Sequence, residues 1–225
     1  MTGIMSEATA RIVAKVAQAA SGEGTGLSDL SRILFARAPA EDLVPYEAGS
    51  LSICTRLALE ALARHRKGDS VIAMSGPSEV RRGARPVTVI TLVNDNMPFL
   101  YDSITGEVNE RASVVHMVLH PVLDVRHEAG GAQLVGEADA GSPPAGIDRV
   151  SLMQVHVPEL SEEAKADLAA KLDVVLAQVR AAIRDWRAML DRLTRVVEGY
   201  RANPPALEPR TLKEAGAFLY WLRDN

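Results

Sequence analysis

The hydrophobic period of this chain changes at Gly68. Before that residue apolar side chains return every three or four positions; after it, runs of β-branched residues dominate. Such a chain is neither a pure helical bundle nor an all-β protein, and the expected class is α+β.

Three helices are predicted ahead of the change. Ile12, Val13, Val16 and Ala20 mark the first, over Ser6 to Ala20, with Gly22, Gly24 and Gly26 ending it. The second runs from Leu27 to Ala36, with Ser28 or Asp29 available as its cap and Pro39 closing it. The third runs from about Gly49 to Arg66, with Leu51, Cys54, Leu57, Ala58, Ala61 and Leu62 as its stripe. Its basic end, Arg64, His65, Arg66 and Lys67, suits the negative pole of the helix dipole and reads as a solvated terminus.

Beyond Gly68, Val71 to Met74 reads as a short strand, Arg81-Arg82-Gly-Ala-Arg85-Pro86 as a loop, and Val87 to Val93 as a strand. A helix is expected from Pro98 to about Arg111, with Leu100, Ile104 and Val108 on one face. Ser113 to Arg126 reads as one long strand. Val115, Met117, Leu119, Leu123 and Val125 take one face, and Val114, His116, Val118, His120 and Val122 take the other. Gly130-Gly131 offers a turn, Ala138 to Gly146 has the composition of an exposed excursion, and Val150 to Val157 is the next strand. Ser161-Glu162-Glu163 then opens a long helix. Its apolar positions, from Leu168 through Val179, Trp186 and Leu193 to Tyr200, follow a spacing near the coiled-coil period, so its distal half needs a partner beyond the sheet. Asn203-Pro-Pro-Ala-Leu-Glu-Pro breaks it, and a last helix from Thr211 to Asp224 carries enough apolar surface to read as part of a larger chain.

Composition narrows the function classes. With 25 Lys and Arg against 29 Asp and Glu, the net charge of −4 gives no basic field for a nucleic acid. Apolar runs fall well short of the roughly 20 residues that span a bilayer. The first residues, Met1-Thr-Gly-Ile-Met-Ser-Glu, lack a secretory or transit pattern, which points to the cytoplasm. A single cysteine, Cys54, reads as a small buried apolar residue.

The stretch Leu92-Val-Asn-Asp-Asn-Met-Pro-Phe-Leu-Tyr-Asp-Ser103 lies at a strand-to-helix turn. Asn96 or Asp95 can cap the helix and Pro98 suits its first turn; the same geometry offers free amides to a small anionic or zwitterionic ligand. His116 and His120 share a strand face, and His156 can join them from another strand. Four residues at about 3.3 Å each set the first two about 13 Å apart along the strand, so they converge poorly on one ion, interface or hydrogen-bonded histidines are preferred and no metal is expected. No glycine-rich phosphate loop, nucleophile elbow or triad spacing is present in the sequence. The Arg81, Arg82, Arg85 trio reads as a solvated loop ahead of an anion site.

The order strand, helix, strand, strand, helix from Val87, with the turn Asn96-Met-Pro-Phe-Leu100, resembles an ACT domain, a ferredoxin-like regulatory module. More specifically, Ile90 to Ile104 and Val115-His-Met-Val-Leu-His-Pro-Val122 resemble the N-terminal region of the large bacterial NAD-specific glutamate dehydrogenases. The resemblance implies N-terminal helices followed by an ACT-type antiparallel sheet packed by helices, with one long C-terminal helix. It further implies the following organisation: a helical segment over 1–68, an ACT-like domain with its long helix over 69–200, and a linker and helix over 201–225 leading to a downstream domain.

On function, the resemblance implies an N-terminal regulatory or assembly fragment, non-catalytic itself, of an enzyme that oxidatively deaminates L-glutamate to 2-oxoglutarate with NAD. No cofactor is expected in the fragment. Its partners are expected to be other domains of the same chain and further copies in a homo-oligomer. An amino-acid effector is expected near Asn94, Asp95, Asn96 and Met97, and interface contacts at His116, His120 and His156. Two residues depart from the ligand-binding pattern: Phe99 stands where many such domains carry glycine and is expected to fill that space, and Asn96 is an amide where an acid is usual. No fourth ACT strand is evident after the long helix. The alternative is a free-standing ACT-like amino-acid-binding or protein-interaction module.

Overall fold

The computed structural model describes residues 6–20 and 25–224. Gly22 and Gly24, expected to end the first helix, lie outside the described residues. Two compact units divide the chain, residues 1–177 and 178–225.

In the first unit, helices α1 (Glu7–Ala20), α2 (Thr25–Phe35), α3 (Ala40–Leu43) and α4 (Ala48–Arg64) precede the sheet. α2 starts at Thr25, so Ser28 and Asp29 sit inside it instead of capping it. The strands are β1 (Ser70–Met74), β2 (Val80–Arg82), β3 (Arg85–Asp95), β4 (Met117–Leu119), β5 (Val122–Glu128), β6 (Gly131–Glu137) and β7 (Asp148–Pro158), with helix α5 (Leu100–Arg111) between β3 and β4. All described pairings are antiparallel, in the order β1-β3-β7-β5-β6, with β2 on β3 and β4 on β7.

β3 and β5 each run antiparallel to β7, so they are parallel to one another with α5 as the connection and β7 inserted between. This is a split βαβ unit, and its remaining position beside β3 is filled by β1. The strand missing after the long helix is therefore supplied from ahead of the motif, antiparallel to β3 as the ferredoxin-like order requires.

Three differences from the sequence reading have local causes. The expected strand Ser113–Arg126 begins only at Met117 and is interrupted at His120-Pro121, because proline has no amide to give the ladder. Register across the gap is kept: Leu119 faces Gln154 and Val122 faces Ser151. The Arg81–Pro86 loop is a hairpin in which Arg82 pairs with Arg85 across Gly83-Ala84, with Gly83 at the positive φ such a tight turn needs. β6 went unread because its Gly-Ala-Gln-Leu-Val-Gly-Glu run is weak in β-branched residues.

Both central strands are buried on both faces. Val87, Val89, Val93, Leu152 and Val150 join Leu30, Phe35, Leu51, Cys54, Ala58 and Leu62 in one core, so the helical segment and the sheet are packed together. Ile90, Leu92, Met153 and Val155 face the other way, where Leu100, Ile104 and Val108 of α5 and Leu168, Leu172 and Leu176 of α6 are buried. An Arg111–Asp167 ion pair links these two helices. α6 (Glu162–Ala202) opens with the Ser161 hydroxyl accepting from the Ala164 amide and Glu162 and Glu163 in its first turn, as the sequence implied. Lys165 fastens that end by donating to the Ser75 carbonyl.

In the second unit, α7 (Pro209–Asp224) follows the Pro204-Pro205 break, and Val197, Tyr200, Leu207, Leu212 and Leu219 line a cavity of about 740 Å³. Trp186, Met189, Val196, Tyr200, Phe218 and Trp221 are exposed. No described helix is long and apolar enough to cross a membrane.

Two predictions test this packing. At Gly131, φ is +134° and an added Cβ would stand 1.6 Å from the Ala63 carbonyl oxygen, where α4 ends against β6. Gly131→Ala is expected to cost about 3 kcal/mol or more, and Gly130→Ala, with open space around it, no more than about 0.5 kcal/mol, read from denaturation midpoints. Equal small effects would contradict the packing of this hairpin on α4. Cys54 is fully buried, and burial pushes its thiol up from the ordinary range. A thiol reagent should leave it unmodified in the native chain and label it stoichiometrically in denaturant.

Candidate functional site

The C-terminal end of β3 carries the turn singled out in the sequence. Asn94 is only 3% exposed, Asp95 and Met97 are half-buried, and Asn96 is exposed. The ladder register sets Ser70, Asn94 and Ser151 in one row across β1, β3 and β7, on the face that α5 covers. Ser70 Oγ donates to Asn94 Oδ1, and Ser151 Oγ shares a hydrogen bond with His120 Nε2. Tyr101, from the first turn of α5, stacks on the His120 ring at 5.8 Å. Burial pulls the His120 imidazole below its ordinary range, which keeps it neutral as a hydrogen-bonding ring.

Above this row, α5 starts differently from expectation. Its N-cap is Phe99, in the left-handed conformation (φ 68°), and no side chain caps the helix. The Asn96 amide donates to the Arg149 carbonyl, Asp95 takes the Gly68 amide at 2.8 Å, and Pro98 lies outside the helix, so neither Asn96 nor Asp95 performs the capping read from the sequence. Phe99 thus adopts the backbone geometry glycine takes freely, at about 1–2 kcal/mol for an L-residue. Its ring is 67% exposed and does not fill the space beneath the helix, contrary to expectation. What results is a helix start without a side-chain acceptor, an exposed aromatic at its cap, and a buried polar row below.

The three candidate interface histidines do not share a face. His116 and His120 alternate with Met117 and Leu119 and lie on the α5 side. His156 pairs directly with Met117 and Val89, which puts it on the opposite, helical-layer face, fully buried with Nδ1 3.0 Å from the Tyr46 hydroxyl. Burial drives its pKa down to about 3, so it is a neutral core residue. The His116 ring is held low first by burial and then by Arg82 and Arg85. Among the described residues no group of three or more His, Cys, Asp or Glu is arranged to hold a metal ion.

A second polar cluster was missed in the sequence. His65, read as part of a solvated basic end, is fully buried. Its Nδ1 lies 3.0 Å from His127 Nε2, His127 Nδ1 lies 3.0 Å from Asp148, and His65 Nε2 faces Asp95 at 3.6 Å. Lys67 pairs with Asp148, and Arg66 donates to the Ala63, Arg64 and His65 carbonyls, closing α4 as the dipole argument required of this segment. No sequence signal separated His65 from its charged neighbours, because its burial depends on β5, which lies some sixty residues away.

The family model described as "Glutamate dehydrogenase, ACT1 domain" matches residues 30–172, more than half of the chain and all seven described strands. The NAD-specific glutamate dehydrogenase of Halomonas elongata is 28% identical over 200 residues, covering 87% of this chain and 12% of the relative. That of Pseudomonas aeruginosa is 26% identical over 194 residues, covering 85% and 12%. The chain therefore spans about an eighth of the length of these relatives. No solved structure matches significantly. The chain belongs to the glutamate dehydrogenase ACT1 domain family.

Proposed function

We propose that this chain is a regulatory and assembly segment of a much longer NAD-dependent glutamate dehydrogenase, a cytoplasmic homo-oligomer that converts L-glutamate to 2-oxoglutarate. The observation that carries this reading is the family match over residues 30–172, which takes in the whole described sheet. NAD and the hydride-transfer chemistry belong to other domains of the parent chain, and the segment itself turns nothing over. Ser151 and His120 are hydrogen-bonded, but the burial that lowers the His120 pKa makes its ring a weaker base, which supports a binding role over nucleophilic catalysis.

Within that role, an amino-acid effector sits at the turn Asn94 to Met97. Its carboxylate meets the amides at the start of α5, and its polar remainder meets the Ser70, Asn94, Ser151 and His120 row. The exposed aromatic and aliphatic residues of α6 and α7, Trp186, Met189, Phe218 and Trp221, serve the assembly side of the role, in contacts with the rest of the oligomer. His116 and His120, both half-buried on the sheet, serve contacts of the same kind from the first unit.

The test is a screen of amino acids at millimolar concentration against the 225-residue chain. A ligand that binds only the folded state raises the melting temperature, by about 2.7 kcal/mol of added stability at one hundred times its dissociation constant. The expected result is a rise with at least one amino acid, reduced by Ser151→Ala, together with no NAD reduction on adding glutamate. A flat screen would leave assembly as the sole role, and measurable turnover by the pure chain would overturn the non-catalytic reading.

A further inference from the structure

The Asp95, His65, His127, Asp148 chain has a proton count that sets when it can exist. Each imidazole has two nitrogens, and the facing pair, His65 Nδ1 and His127 Nε2, stands at hydrogen-bond distance. That bond needs a proton on one of these nitrogens and a lone pair on the other. With both rings neutral, His127 Nδ1–H donates to Asp148, His65 Nδ1–H donates to His127, and His65 Nε2 is left bare opposite the Asp95 carboxylate. One added proton completes the row, because His65 Nε2–H then points at Asp95. A second cannot be accommodated: both facing nitrogens would carry hydrogens, the bond would be lost, and two cations would stand 3.0 Å apart.

We propose that Asp95, His65, His127 and Asp148 form a proton-operated clasp that ties the end of α4 to the turn entering α5 and opens in mild acid. The elements involved are the end of α4, the end of β3, β5 and the start of β7, so opening frees the Asp95 end of the turn from the Gly68 amide. Charged groups face the pair from several elements. Asp95 on β3 and Asp69 ahead of β1 favour a charged His65, and His127 on β5 opposes it. Asp148 on β7 faces His127 and is itself held below the usual carboxylate range by hydrogen bonds from Lys67 and His127, so it stays ionised as pH falls. Arg66 is occupied with the α4 carbonyls.

Burial outweighs these charges and keeps the His65 pKa below its unfolded value. The proton count gives the same sign: the closed row holds at most one added proton, whereas in the open chain both imidazoles take one near their ordinary pKa of about 6.5, so the clasp loses stability as pH falls below that value. His156, whose pKa burial drives down to about 3, makes the whole fold weaken in acid by the same logic, so the readout must be local.

The experiment is amide hydrogen exchange on the 225-residue chain at about pH 7.5 and about pH 5, corrected for intrinsic rates, with the β3–β7 ladder as internal reference. Protection at residues 65–69 and 94–97 should fall about tenfold more than the ladder in acid. In His127→Gln, whose amide can still hydrogen-bond but cannot titrate, the extra loss should shrink to within about twofold of the ladder. Unchanged local protection in the parent chain, or the same loss in His127→Gln, would overturn the clasp. Should His127→Gln fail to fold, ring-nitrogen NMR of the parent chain decides: coupled titration of His65 and His127 supports the clasp, and two independent single-proton curves refute it.

Discussion

Everything in the first unit depends on the pairing of β3 with β7, two eleven-residue strands matched from Val87–Pro158 to Asp95–Val150 and buried on both faces. A sheet with apolar side chains on both sides is stable only when both sides are covered. That requirement explains why α1, α2 and α4 pack on one face while α5 and the first part of α6 pack on the other. It also makes register decisive, since a slip of one residue would exchange the faces. With the observed register, His156 goes inward to Tyr46 and Gln154 reaches the Cys54 carbonyl, while Asn94 and Ser151 turn toward α5.

The same register builds the place where function is proposed. Polar residues on a buried face are costly unless hydrogen-bonded, and here they are bonded to one another at the strand ends, next to a helix start with no side-chain cap. Phe99 holds a strained backbone at that helix start, and residual strain of this kind gathers where a ligand or a switch works. One β-strand thus supplies the central ladder, the row's Asn94, and Asp95 of the histidine chain. The relation to glutamate dehydrogenases adds the larger frame: the chain spans about an eighth of the relatives' length.

What was readable in the sequence was whatever depended on local periodicity. The β-branched run Val87–Val93, the Leu100, Ile104, Val108 stripe and the Ser161 cap all report themselves within a few residues. What stayed hidden depended on distant partners. Nothing near β1 says that it completes the ferredoxin-like order, because that position is fixed by its pairing with β3. His65 looks like one more cation beside Arg64 and Arg66 until β5 brings His127 against it. Capping was misread because Asn96 and Asp95 have the right chemistry for it but are held by Arg149 and Gly68. His156 was grouped with His116 and His120 by residue type, and only the ladder shows that it lies behind the sheet.

The central claim is that the polar row beneath α5 is where this segment meets its ligand. The most direct measurement is a titration of the ¹⁵N-labelled chain with amino acids, followed by amide chemical shifts. The account predicts saturable shifts confined to residues around Asn94 to Ser103, with His120 and Ser151, and little change on the opposite face around His156 and Cys54. Saturable shifts that instead map to the α6–α7 cavity, or amides that do not move for any amino acid, would contradict it.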